Sequence, residues 1–150
     1  MRKNTTSALV LIILLFLTGC ATNNIAYAPT ATMSNKDASD IVEQLTMMQS
    51  SRWKPDHIKI NENYILWSYG SVSERDPLGN ILYRDISDRI YFNSIIGVQL
   101  ISREKFSAQS YLVEVIIGEN NSIYVYHTQD INEAKRFIDA FESLRIAHKK

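Results

Sequence analysis

The chain has 150 residues, 45% of them hydrophobic, and its sixteen Lys and Arg balance sixteen Asp and Glu for a formal net charge of zero. That length suits one domain with a core of ordinary size, and the charge balance leaves no basic stripe of the kind that displaces counterions from nucleic acid. A single cysteine excludes an internal disulfide. His57, His127 and His148 fall at no i, i+3 or i, i+4 spacing, which argues against a structural zinc site.

Residues 1–20 have the layout of an export signal. Arg2 and Lys3 form a positive start, Ala8 through Leu17 are an unbroken apolar run, and Thr18 and Gly19 end that run with small residues before Cys20. A run of this length is too short to cross a bilayer, which takes roughly 20 apolar residues. Leu17-Thr18-Gly19-Cys20 resembles the lipobox of bacterial lipoprotein signal peptides. The resemblance implies that residues 1–19 are removed and that the Cys20 thiol becomes a thioether to diacylglycerol, commonly with a third acyl chain, such as palmitate, on its amine. Two or more chains give a stable anchor at roughly 0.8 kcal/mol per buried methylene. Ala21 stands where an aspartate would favour inner-membrane retention, so the resemblance points to the outer membrane, facing the periplasm. Losing Arg2 and Lys3 leaves fourteen basic against sixteen acidic residues, a net charge of about −2.

Residues 20–33 then read as the acylated cysteine and a flexible tether, small, polar and uncharged with one proline, whose mean reach would be roughly 20 Å. The remainder, 34–150, reads as a single globular domain. Ser34 can cap a helix, with Asp37 in its positive first turn and Ala38, Ile41, Val42, Leu45 and Met48 at helical spacing, so an amphipathic helix is predicted over 36–50. From residue 57 the period shifts toward 2, and strands are predicted near 57–60, 64–69, 80–84, 89–92, 97–103, 110–117 and 122–127. Asn61-Glu62-Asn63 and Gly118-Glu119-Asn120-Asn121 supply turns between neighbours, and such short links exclude a parallel sheet. Asp130 can cap a second helix carrying Ile131, Ala134, Phe137, Ile138, Phe141 and Leu144 as its apolar stripe.

The expected fold is α+β: a seven-stranded antiparallel sheet with a C-terminal amphipathic helix and an additional N-terminal helix. Seven strands followed by one helix resemble the pleckstrin-homology-like barrel over residues 57–147. Lipid-binding members of that family carry lysines and arginines in the first hairpin, whereas this one has Asn61-Glu62-Asn63 with Lys59 nearby, so phosphoinositide binding is not implied. The alternative is an open sheet with both helices on one face.

Chemistry is sparsely signalled. The histidines lie at strand or helix ends, and no Gly-x-Ser-x-Gly elbow accompanies the serines. Asp85 and Asp88 could be the paired acids of a hydrolase, but their alternation with Arg84 and Arg89 reads as a solvated turn. No catalytic residues, metal site or dissociable cofactor are expected. The aromatic set is richer: Trp67 and Tyr69 would share one strand face, as would Tyr124 and Tyr126, forming either a binding platform or a core wall. The functional expectation is a non-catalytic, lipid-anchored envelope protein that binds another envelope component, a protein. The alternatives are a carrier or sensor of an apolar small molecule or lipid, and an envelope or cell-wall hydrolase.

Overall fold

The computed structural model describes residues 21–29, 33–75, 78, 81–105, 108–119 and 121–149. Among these the chain is α+β, with seven antiparallel strands in two sheets and two helices. β1 (Ala21–Ile25) is followed by α1 (Asn35–Met48), β2 (His57–Ile60), β3 (Tyr64–Arg75), β4 (Ile81–Tyr91), a 3₁₀ turn at Phe92–Ser94, β5 (Ile95–Lys105), β6 (Ala108–Ile117), β7 (Asn121–Thr128) and α2 (Ile131–His148). One sheet has the order β1-β5-β6-β7 and the other β2-β3-β4.

The sheets do not close into a barrel, which corrects the pleckstrin-homology-like expectation. A barrel needs β4 to continue its ladder onto β5. Here the 3₁₀ turn separates the two strands, and the free edge of β5 is taken by β1, with Ala21 opposite Glu104 and Ile25 opposite Leu100. β1 lies in the segment expected to be a flexible tether. Its alternation is hidden because Thr22, Asn23 and Asn24 line an exposed sheet edge, and only Ile25 turns an apolar side chain to the core. Beyond it, Tyr27 donates its hydroxyl to Asp139 at 2.9 Å, and the Met33 amide donates to Ser143 Oγ at 3.1 Å. Residues 21–29 are therefore packed onto the domain.

The strand count of seven conceals a second difference. The two strands expected near 80–84 and 89–92 are one continuous β4, paired with a β3 that runs six residues past its expected end. β2 covers only 65–68 of β3. Beyond Ser68 the pair goes on as a two-stranded ribbon, after an irregularity in which Tyr69 and Gly70 oppose Ile86 alone. Gly70 supplies the conformation this requires: its φ is +78°, and a Cβ there would sit 2.7 Å from Asp56 Oδ2.

Local chemistry fixes both helices. The Asp37 amide donates to Ser34 Oγ at 3.2 Å while the Ser34 hydroxyl donates back to the Asp37 carboxylate at 2.6 Å. At α2 the Asn132 amide donates to Asp130 Oδ1 at 2.8 Å, and Arg145 pairs with Glu142 at 2.7 Å in the last turn, where cations suit the helix dipole. α1 packs along α2, and α2 lies on β5, β6 and β7. Having two neighbours gives α2 a broad buried face, from Ala134 through Leu144. Ala38, Val42 and Leu45 of α1, Ile65, Trp67 and Ile90 of the smaller sheet, and Leu100, Val113 and Val115 of the larger join Phe137 and Phe141 in one core.

Candidate functional site

The structure divides the four aromatics expected to form a surface. Trp67 is 2% exposed and Tyr126 is 3% exposed, both in the core, while Tyr69 and Tyr124 are 40% and 42% exposed on different sheets. A shared face for Tyr124 and Tyr126 is lost to a register shift: Tyr126 opposes Val113 and Tyr124 opposes Glu114, its sequence neighbour. Consecutive strand residues face opposite ways. Tyr126 therefore stacks on Phe137 of α2 at 4.5 Å, and Tyr124 lies on the outer face, 5.9 Å from the Arg103 guanidinium. Burial, then the Glu133 carboxylate, push the Tyr126 hydroxyl up to about 12. Burial and Asp88 raise that of Tyr69. Leu17, Thr18, Gly19 and Cys20 lie outside the described residues.

Asp85 and Asp88 are not in a turn. Three residues apart on β4, they belong to opposite faces, Asp85 accepting a hydrogen bond from Ser71 and Asp88 standing opposite Trp67. Acids so placed cannot flank one bond. His127 is half-buried on the outer face of β7, stacked on Trp53 at 5.3 Å, and burial followed by Arg103 and Arg52 lowers its pKa. His57 is exposed at the start of β2. Among the described residues no group of three or more His, Cys, Asp and Glu is placed to hold a metal ion.

A different set of residues converges where the β2–β3 turn meets the end of β4. A cleft of about 290 Å³ is lined by Glu62, Asn63, Tyr64, Tyr91, Asn93 and His148. Each wall is held locally. Asn61 Oδ1 accepts from the amides of Asn63 and Tyr64, both at 2.9 Å, which fixes the turn, and the Phe92 amide donates to Asn63 O at 3.0 Å, which fixes the turn to the 3₁₀ segment. Ser94 Oγ donates to Tyr91 O at 2.7 Å. Phe92, buried behind, stacks on His148 at 5.1 Å and brings the last turn of α2 to the cleft. Tyr64 and Tyr91 meet edge to face at 5.7 Å; the Arg89 guanidinium lies 4.7 Å from the Tyr64 ring, and its NH1 is 3.4 Å from the Tyr91 hydroxyl.

Tyrosine and arginine on a pre-shaped wall are the side chains that recur at protein–protein contacts, since they offer large area, few rotors and hydrogen-bonding tips. The sequence signal for the cleft was present in part, as Asn61 marks the turn and Tyr64 follows it. Tyr91 joins them only because β4 is a single strand. A second cleft, about 360 Å³, lies at the opposite end of β7 among Met48, Gln49, Ser50, Tyr126, His127, Thr128, Gln129 and Glu133. Two of its polar side chains are already engaged: Gln49 Oε1 accepts from the His127 amide at 2.8 Å, and Glu133 accepts from Thr128 at 2.6 Å.

Comparison with protein-family models, with curated proteins and with solved structures finds no match.

Proposed function

We propose that the chain is a lipid-anchored lipoprotein of the bacterial envelope, held in the outer membrane through acylated Cys20 and facing the periplasm, whose domain recognises another envelope protein without catalysing a reaction. Support for the anchor is the Leu17-Thr18-Gly19-Cys20 sequence behind an apolar run too short to span. Support for recognition is the Tyr64–Tyr91–Arg89 wall, whose turn is fixed by the Asn61 side chain accepting from the Asn63 and Tyr64 amides. Preorganisation of this kind lowers the ordering cost of association.

The test is cross-linking in intact cells followed by mass spectrometry, using the wild type, Cys20→Ala and the double variant Tyr64→Ser/Tyr91→Ser. The wild type should carry an acylated N-terminal peptide and enrich one envelope protein. The tyrosine variant should stay acylated and recover that protein at least tenfold less. An unmodified Cys20 in the wild type sinks the lipoprotein reading, and equal recovery by the tyrosine variant sinks the cleft.

A further inference from the structure

The two ends of the fold can be assigned from its hydrogen bonds and register. At one end Phe92 joins Asn63 to His148, which places the 3₁₀ turn, the β2–β3 turn and the close of α2 together. At the other end α1 closes on β7 through Gln49 and His127, and β1 starts opposite Glu104, next to the link between β5 and β6. Trp53 stacks on that same His127, and three residues later the Asp56 amide donates to Ser68 O at 2.7 Å. Ser68 is where β3 leaves the cover of β2 and the ribbon begins. The ribbon therefore leaves the body at the end that receives Ala21.

The described ribbon has five strand pairs beyond its irregularity, from Ser71 opposite Asp85 to Arg75 opposite Ile81. At about 3.4 Å per pair it extends roughly 17 Å. It carries unusual apolar exposure, with Leu78 at 87%, Ile81 at 54% and both Val72 and Ile86 above a third. Cys20 precedes Ala21 directly, and Ala21 is already paired, so the link from anchor to domain holds no slack beyond one residue, about 3.8 Å between Cα atoms. On a domain held that closely, a projection of this length reaches a headgroup layer several ångströms deep when it points toward the anchor.

Val72 and Ile86 fall on one face of the ribbon and Ile81 on the other, so its distal end is the part that can present apolar side chains to one surface. We propose that the β3–β4 ribbon rests this end, with Leu78 and Ile81, in the lipid surface that anchors Cys20, so that the Tyr64–Tyr91 cleft faces away from the bilayer. The inference rests on the lipoprotein reading. Arg75 and Arg84 are offset along the sequence by Glu74 and Asp76, so apolar area rather than charge carries the contact. Anchor and ribbon together give the domain two points of support, and two points set a tilt where one leaves it free.

The experiment uses the full chain, matured in cells and reconstituted in vesicles of phosphatidylethanolamine and phosphatidylglycerol at three to one. Acylation consumes the native thiol, so Leu78→Cys or Asn93→Cys provides a single site for an environment-sensitive fluorophore. The label at position 78 should be protected from aqueous iodide at least fivefold relative to the label at 93. Raising phosphatidylglycerol to half should change that protection less than twofold. Equal quenching at both positions, or greater protection at 93, overturns the proposal. Protection at 78 that appears in native membranes and vanishes in vesicles also overturns it, since a protein then covers the ribbon. The mass of the N-terminal peptide is read separately: without acylation the lipoprotein reading fails and takes this inference with it, whereas an acylated chain with an accessible position 78 refutes the inference alone.

Discussion

At the Tyr64–Tyr91 end each large side chain has something behind it, whereas along the ribbon the described side chains are exposed. Phe92 is buried under His148, Tyr64 is braced by Tyr91, and the turn amides are satisfied by Asn61. Along the ribbon Val72, Ile81 and Ile86 are substantially exposed. Strand pairing alone does not make a hairpin stable in water, so the ribbon draws its order from its root at Trp67, Ser68 and Gly70. The first end holds its shape by itself, and the second has a shape that calls for a surface.

The widest separation between the two ends should appear in stability. Phe92→Ala removes a fully buried ring and should cost about 3–5 kcal/mol, read from the urea midpoint, and it should loosen the cleft. A loss below about 1 kcal/mol would mean that this end is not the packed one. Gly70→Ala acts at the ribbon root. A left-handed alanine with its Cβ against Asp56 should cost about 1–2 kcal/mol and, if the root orients the ribbon, should also shift the quenching pattern of a label at position 78.

His127 gives a pH-dependent contrast. Its pKa is held below the ordinary histidine value of 6.5 by burial and by Arg103 and Arg52, so the unfolded chain binds its proton first. The stability linked to this site is present above pH 6.5 and declines as pH falls below that value. His127→Gln should flatten the part of the stability profile just below 6.5, and unchanged curvature in that window would remove His127 from the account. Thr46→Val replaces a buried hydroxyl that has no hydrogen-bond partner among the described residues and should raise stability by about 1 kcal/mol. Leu78→Asp should leave the urea midpoint within about 0.5 kcal/mol, because the side chain lies almost wholly outside the body, while removing ribbon contact with vesicles.

What could be read from the chain follows the same division. The α2 stripe and its Asp130 cap, the antiparallel order of β5, β6 and β7, and both turns built on asparagine or glycine were legible, because one buried face imposes a period on the sequence. The ribbon was not, since strands exposed on both faces carry no such period, and Arg84-Asp85-Ile86-Ser87-Asp88-Arg89 reads as a turn while lying wholly within β4. β1 was missed for a related reason, being an edge strand with a single inward apolar side chain. The four aromatics are divided between core and surface at irregularities that cannot be read from spacing, one in β7 between Tyr124 and Tyr126 and one in β3 just after Ser68, leaving Trp67 and Tyr126 in the core. The cleft needed β4 whole before Tyr91 could be placed beside Tyr64.

The pairing of β1 with β5 also sets an order of events in folding. Ala21 finds its partner at Glu104, 83 residues further on, so the first strand of the larger sheet cannot pair until nearly all of the sequence up to β6 is available. Contacts of such long sequence separation form late, since the intervening loop must first be closed. On the proposed lipoprotein reading, completion of the larger sheet would withdraw the junction at Cys20 from processing, and the fold itself would time that step.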